Sequence, residues 1–273
     1  MSLPPTSMGS ARPRLLRPAI VAVLAAWTLL PLFVLVVVSF SGGWRFPSLL
    51  GSDPGFQAWS TLRESSGRLM PALYTSLGLG VATGGLAALA GLPLGRALSD
   101  LQGGWRLVGA ACAFLPVAAP PLALAVGLQF TFLRAGLGGS VLGVTLAHLI
   151  PALGYTSLFF LGVFAAFDRG IETEARRLGA RSWQILARIT IPLLRRPLAE
   201  AFVLGFLVSW AQVPLTLLVG QGRVRPLTVE VLSWVEAGQD PLAAAGAALL
   251  VLPPLLLMGA AAFGFRRAQV VAP

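Results

Sequence analysis

The chain has 273 residues, 56% of them hydrophobic and 11% charged, against about 25% charged in an ordinary soluble domain; this is the composition of a membrane protein. All 20 basic residues are arginine, so the phosphate loop G-x-x-x-x-G-K-[ST] cannot form, and the lone Cys112 and lone His148 exclude an internal disulfide, a thiolate-rich zinc site and an H-E-x-x-H cluster. The net charge of +10 sits in short arginine clusters between apolar runs, where positive-inside bias and anionic lipid head groups account for it better than nucleic acid.

From the start of the chain, Met1 to Arg17 is rich in proline, serine and arginine and is expected to be a disordered cytoplasmic tail. The run from Pro18 to Phe40 is too long for the apolar region of a cleavable leader and is read as an uncleaved first span. Five further segments suit a ~30 Å hydrocarbon core: Pro71 to Leu98, Leu107 to Leu133, Leu137 to Phe167, Leu198 to Val219 and Leu242 to Phe265. Their continuous apolarity predicts helices, since barrel strands would be short and alternating. The expectation is an all-α polytopic membrane protein with six transmembrane helices.

Six spans bring both termini to one side, and that side carries fourteen of the twenty arginines. It is therefore expected to be cytoplasmic. The spans hold almost no ionisable groups: His148 in the fourth and Glu200 at the start of the fifth. Pumps and secondary transporters usually carry their coupling charge on such groups, so uphill transport here would draw on an energy source outside the membrane. Gly80 with Gly84, and Gly91 with Gly95, form small-xxx-small pairs for close helix approach. Pro116, Pro120, Pro121, Pro151, Pro214, Pro253 and Pro254 are expected to bend their helices.

The most charged stretch, Asp168 to Pro197, is too polar to span. A short helix is predicted from Ile171 to Leu178, closed at Gly179 by a left-handed residue. Ser182 is expected to cap a second helix carrying Trp183, Leu186 and Ile189, stopped by Pro192. Two short helices make a compact cytoplasmic knob, suited to docking in a partner's groove or to lying on the lipid surface.

The pattern of this loop resembles that of permease subunits of binding-protein-dependent ABC importers, E-A-A-x-x-x-G-A followed by an I-x-L-P segment. Ala175, Leu178, Gly179 and Ala180 match, Trp183 stands at a commonly aromatic position, and Ile189, Ile191, Pro192 and Pro197 fit the tail. The family glutamate falls on Thr173 and its first alanine on Glu174, with Glu172 and Glu174 flanking the expected carboxylate. The resemblance covers Met70 to Phe265 and is closest to importers of polyamines, ferric iron, thiamine and sulfate. Many members of that subgroup carry an acidic residue where Gln212 stands.

The resemblance implies a type I, MetI-like permease: residues 1–17 a cytoplasmic tail, 18–40 the first helix, 70–265 a five-helix core with the coupling loop 168–197, and 266–273 a cytoplasmic tail. It implies an inner-membrane transport subunit, not itself an enzyme, passing a small solute delivered by an external binding protein. It also implies a second permease subunit, the same chain or a relative, and separate ABC ATPase subunits that bind ATP and magnesium. This chain is expected to hold no cofactor of its own. The coupling residues would be Glu172, Thr173, Glu174, Ala175, Leu178, Gly179, Ala180 and Trp183. Ser209, Trp210 and Gln212 are nominated for the path together with Pro214, because they bring polar groups into an otherwise apolar span near that proline; contacts between helices are the other reading of the same residues. His148 is either a proton relay or a neutral bridge between helices. An ATPase-independent carrier or channel is the alternative function, an intramembrane enzyme a weaker one: Ser140 and His148 lie eight residues apart on one predicted helix, ~12 Å by helical rise, too far for a nucleophile and its base.

Overall fold

The computed structural model describes residues 13–42, 54–64 and 66–270. In chain order the elements are α1 (Pro13–Ser39), α2 (Gln57–Glu64), α3 (Ser66–Asp100), α4 (Gly103–Ala118), α5 (Pro121–Arg134), α6 (Val141–Ala165), α7 (Gly170–Arg177) and α8 (Ser182–Ile185). A π turn (Leu186–Thr190) leads into α9 (Ile191–Leu193), α10 (Arg195–Trp210), α11 (Val213–Gly220), α12 (Leu227–Glu236) and α13 (Asp240–Val270). Among the described residues no strand forms beyond an isolated bridge between Ser41 and Pro54. Four helices, α1, α3, α6 and α13, are long and apolar enough to cross a membrane, and the pairs α4 with α5 and α10 with α11 bring the number to six if each pair is one span.

Those two pairs are where the continuous helices expected at 107–133 and 198–219 give way, bent by 94° and 62°. At the first, Ala119 and Pro120 adopt extended ψ angles of 135° and 127°. Consecutive prolines remove two backbone donors, and each steers the residue before it away from the helix. At the second, Pro214 lacks the N–H that would serve Trp210, and the helix opens at Ala211 and Gln212 before restarting at Val213. Pro116, Pro151, Pro253 and Pro254 instead lie inside uninterrupted helices. A lone proline costs a single ladder bond, and packing of α13 along α1 holds the Pro253–Pro254 pair in line.

Other bounds also differ from expectation. The first helix already includes Pro13 to Arg17, so that part of the expected tail is helical; residues 1–12 and 271–273 lie outside the described residues. Helix α13 runs through Arg266 and Arg267 to Val270. Pro192 does not stop its helix. The chain widens into the π turn, in which the Ile191 N–H bonds Leu186 O, and continues to Leu193. Ser182 is the first helical residue and Arg181 the cap, its N–H bonding the Gln184 side chain at 2.8 Å. The connection from α11 to α13 is a packed helix: Leu227 and Trp234 of α12 cluster with Ala58 and Leu62 of α2 and Leu69 and Ala72 of α3.

The centre is α3 lying against α6 and α10. The two glycine pairs of α3 serve different neighbours. A Cβ on Gly84 would meet Phe202 O at 2.7 Å and Phe206 N at 3.0 Å on α10, whereas one on Gly91 or Gly95 would strike Thr156 or Phe160 on α6. The Thr156 hydroxyl donates to Ala87 O at 2.9 Å across this crossing. Bare backbone at these positions lets three helices approach without the apolar driving force that water would supply.

Candidate functional site: a clamped knob and a broken span

The knob begins where α6 ends. Asp168 accepts from the Gly170 N–H at 2.8 Å, and Arg169 reaches back to α3, bonding Ser99 Oγ at 2.6 Å and pairing with Asp100. Helix α7 closes with two interlocking bonds, Gly179 N–H to Arg176 O and Ala180 N–H to Ala175 O, both 3.0 Å, around Gly179 at φ +86°. That left-handed conformation is the one a side chain resists.

Of the two candidate carboxylates, only one faces inward. Glu172 is 3% exposed. Its carboxylate takes a forked pair from Arg96 on α3, with Nη1 to Oε1 at 3.0 Å and Nη2 to Oε2, and accepts the Thr190 hydroxyl at 2.6 Å. The π turn ends at Thr190, so α3, α7 and the second knob helix meet on one buried carboxylate. Glu172 thus fastens the knob to α3 from within. Glu174 is exposed and 3.4 Å from Arg177; Thr173, where the family glutamate falls, is exposed and spends its hydroxyl on Arg169 O at 3.0 Å.

Burial pushes the Glu172 carboxyl up, but hydrogen bonds from Arg96 and Thr190 and the charges of Arg96 and Arg176 outweigh it, so the group lies below its ordinary value of 4.5. A carboxyl depressed on folding stabilises above its unfolded pKa and loses that contribution as pH falls through the folded value. The fastener is therefore expected to keep constant strength from neutral pH down to 4.5 and to weaken only below it. Pepsin cleavage of the knob in reconstituted protein checks this; an onset above about pH 5 would contradict it.

The other knob residues make its outer surface. Thr173, Glu174, Leu178, Gly179 and Trp183 are exposed, Ala175 and Ala180 half-buried. Leu178 at 82% and Trp183 at 58% are far more exposed than an isolated soluble knob would leave them.

Of the path nominees, Ser209 and Trp210 make hydrogen bonds between helices. The His148 ring on α6 spans the break in the fifth span: Nδ1 lies 2.9 Å from Ser209 Oγ on α10 and Nε2 2.9 Å from Thr216 Oγ1 on α11. Thr216 donates its own proton to Gln212 O at 2.6 Å, so it accepts from Nε2–H and leaves Nδ1 to accept from Ser209. Both ring nitrogens of a neutral imidazole are satisfied, which is the bridging reading of His148. Trp210 donates to Leu250 O on α13 at 3.1 Å. Pro214 sits in the first turn of α11, and Gln212 at the break is half-buried. A His148→Gln variant, which keeps an amide donor and acceptor, is expected to transport within about threefold of the parent, bonds of this kind in membranes averaging about 0.6 kcal/mol; loss of all uptake would restore the proton relay.

No nucleophile pair forms between Ser140 and His148. Ser140 caps α6, accepting from Gly143 N–H at 2.9 Å and donating to Leu137 O at 2.7 Å. Among the described residues no group of three or more His, Cys, Asp or Glu side chains is placed to hold a metal.

Sequence reasoning missed Arg96, Thr190, Ser76 and Thr216. Arg96 registered only as a charge at a span end. Ser76 Oγ on α3 accepts the Leu227 N–H that begins α12, at 2.8 Å. Arg225 pairs with the buried Glu230 at 2.8 Å just beyond.

Residues 90–269 match the family described as binding-protein-dependent transport system inner membrane component. The chain is 25% identical over 247 residues, 90% of its length and 92% of the relative's, to the spermidine/putrescine transport system permease protein PotC of Escherichia coli K12. It is 27% identical over 231 residues, 84% of its length and 86% of the relative's, to the putative 2-aminoethylphosphonate transport system permease protein PhnV of Salmonella typhimurium LT2. The fold is that of a chain in the crystal structure of a bacterial ABC transporter involved in import of alginate, with a TM-score of 0.63 at 17% identity over 95% of this chain and 96% of that one. With its broken apolar spans, fastened knob and polyamine-type relatives, this chain belongs to the binding-protein-dependent transport family, as a multi-pass inner-membrane permease subunit of an ABC importer.

Proposed function

We propose that the permease is driven from the cytoplasm by separate ATPase subunits that grip the knob at residues 168–197. In this reading ATP and magnesium are bound by those subunits. An external solute-binding protein delivers the cargo, and a second permease subunit, identical or related, completes the path within the lipid. Both termini are cytoplasmic.

The observation that carries the reading is the contrast within the knob. Its inner side is fastened to α3 through Arg96 and Glu172, while Leu178 and Trp183 stand out uncovered. A stiff element with an apolar cap transmits displacement; a loose one would dissipate it. Leu178 and Trp183 supply the apolar anchors of the docking face, and Arg177, Glu174 and Arg181 its polar rim. The two named cargoes, spermidine/putrescine and 2-aminoethylphosphonate, belong to relatives of about equal likeness to this chain. That pattern suits a scaffold that leaves solute selection to the external binding protein.

Leu178→Asp and Trp183→Asp are expected to lose the ATPase on purification, with transport falling at least tenfold, while the permease stays monodisperse in detergent. Gly179→Pro, which cannot adopt φ +86°, is expected to uncouple hydrolysis from uptake without preventing insertion. The chain alone in vesicles should accumulate nothing against a gradient. Gradient-defying uptake by the chain alone would instead make it an independent carrier.

A further inference from the structure

Between α3 and the second knob helix lies a groove of about 550 Å³, lined by Leu89 and Leu92 of α3, Leu186 and Ile191 of the second knob helix and Leu198 of α10. Leu89, Leu186 and Ile191 are exposed. At its cytoplasmic end the lining turns polar: Arg96, Glu172, Arg176 and Ser182.

The charges at that end do not cancel. Arg96 and Glu172 neutralise each other in the fork, and among the described residues no carboxylate pairs with Arg176. Arg176 is close enough to Glu172 to act on its charge and is exposed at the opening. One unbalanced guanidinium therefore stands at the level of the cytoplasmic interface. From Arg96 the apolar wall rises along α3 to Leu89, seven residues and ~10 Å deeper by helical rise. A cation at head-group level above an apolar slot entering the hydrocarbon matches the two ends of one molecule, a phosphate and an acyl chain. A peptide segment fits less well, because the slot offers no row of backbone partners.

We infer that this groove holds an anionic phospholipid of the cytoplasmic leaflet, its phosphate on Arg176 and one acyl chain along Leu89, Leu92, Leu186 and Ile191. The lipid lies against the Arg96–Glu172–Thr190 fastener, wedged between the knob and α3. The inference rests on the proposed cytoplasmic placement of the knob; Arg177, Leu178 and Trp183 of the docking face are not among the groove's lining residues.

The test uses the assembled complex in phosphatidylcholine nanodiscs carrying a small fraction of phosphatidylglycerol with a photoreactive acyl chain. Adducts are expected on peptides containing residues 89–96 and 182–198. Unlabelled phosphatidylglycerol should compete about fivefold better than phosphatidylcholine, the factor expected for one arginine at an anionic surface. Inorganic phosphate should not compete. Arg176→Gln should cut the labelling by a similar factor, and Leu186→Trp, which fills the slot, should abolish it. Equal competition by the two lipids in the unmodified complex would overturn the inference, as would competition by inorganic phosphate or labelling indifferent to Arg176→Gln. Labelling of the free chain that disappears in the complex would assign the groove to the second permease subunit instead.

Discussion

Arg96→Ala is expected to be the most damaging single change at the knob. It strands the Glu172 carboxylate, 3% exposed, with the Thr190 hydroxyl as its remaining hydrogen-bond partner. Breaking a fully buried pair costs about 3–5 kcal/mol. The Arg96 side chain is about a quarter exposed, so water offsets part of that, and roughly 2–3 kcal/mol is expected. The readouts are a transport rate at least tenfold lower and new protease cleavage between residues 168 and 197. Glu172→Gln should be milder, since the amide still accepts from Thr190 and leaves a guanidinium that water can reach. Arg96→Leu with Glu172→Leu should recover protease resistance, apolar replacement of a buried pair being close to neutral. Glu174→Gln, which removes an exposed pair, should cost less than about 1 kcal/mol. Parental transport by Arg96→Ala would show that the knob is not fastened to α3 in the working protein.

Gly95→Val is expected to be comparably severe by another route. A Cβ at Gly95 would clash with Phe160 Cβ and lie 2.8 Å from Leu161 N on α6. Neither atom is the end of a flexible side chain, so relief requires α3 and α6 to separate. Overpacking of this kind costs about 1–3 kcal/mol or more, and the neighbouring Arg96 would be carried off its carboxylate. A lower thermal midpoint in detergent together with weaker knob protection is the expected pair of results. Gly78→Ala and Gly85→Ala, on the same helix with nothing within 4 Å of the added carbon, should be silent. A Gly95→Val protein as stable as these controls would mean that the α3–α6 crossing is looser than described.

The helical class, the apolar segments and the knob were legible because hydrophobic length and a left-handed glycine are local properties. Gly179 closes its helix as its position implied, and the glycine pairs of α3 do mediate close crossings. What local pattern could not show was which partner each residue meets. Glu172 and Glu174 stand two residues apart with equal claim in the sequence, yet the turn of α7 sends one inward to Arg96, 76 residues away, and leaves the other outside. The prolines were visible without their outcomes: Pro120–Pro121 breaks a span and Pro253–Pro254 does not. Helix α12 gives only a weak hydrophobic signal in its ten residues, although Pro226 before Leu227 and the spacing of Leu227, Glu230 and Trp234 on one buried side mark it.

Helix α3 is continuous from Ser66 to Asp100. Toward one end Ser76 is tied to the first N–H of α12, and toward the other Arg96 is tied to the Glu172 carboxylate. Twenty residues of unbroken helix, ~30 Å by helical rise, make these two attachments parts of one rod. An axial push or a roll imposed at the Glu172 end must arrive at the α12 end with little slack. If separate ATPase subunits grip the knob as proposed, the α12 end and the motor-facing end would then change posture in the same stroke.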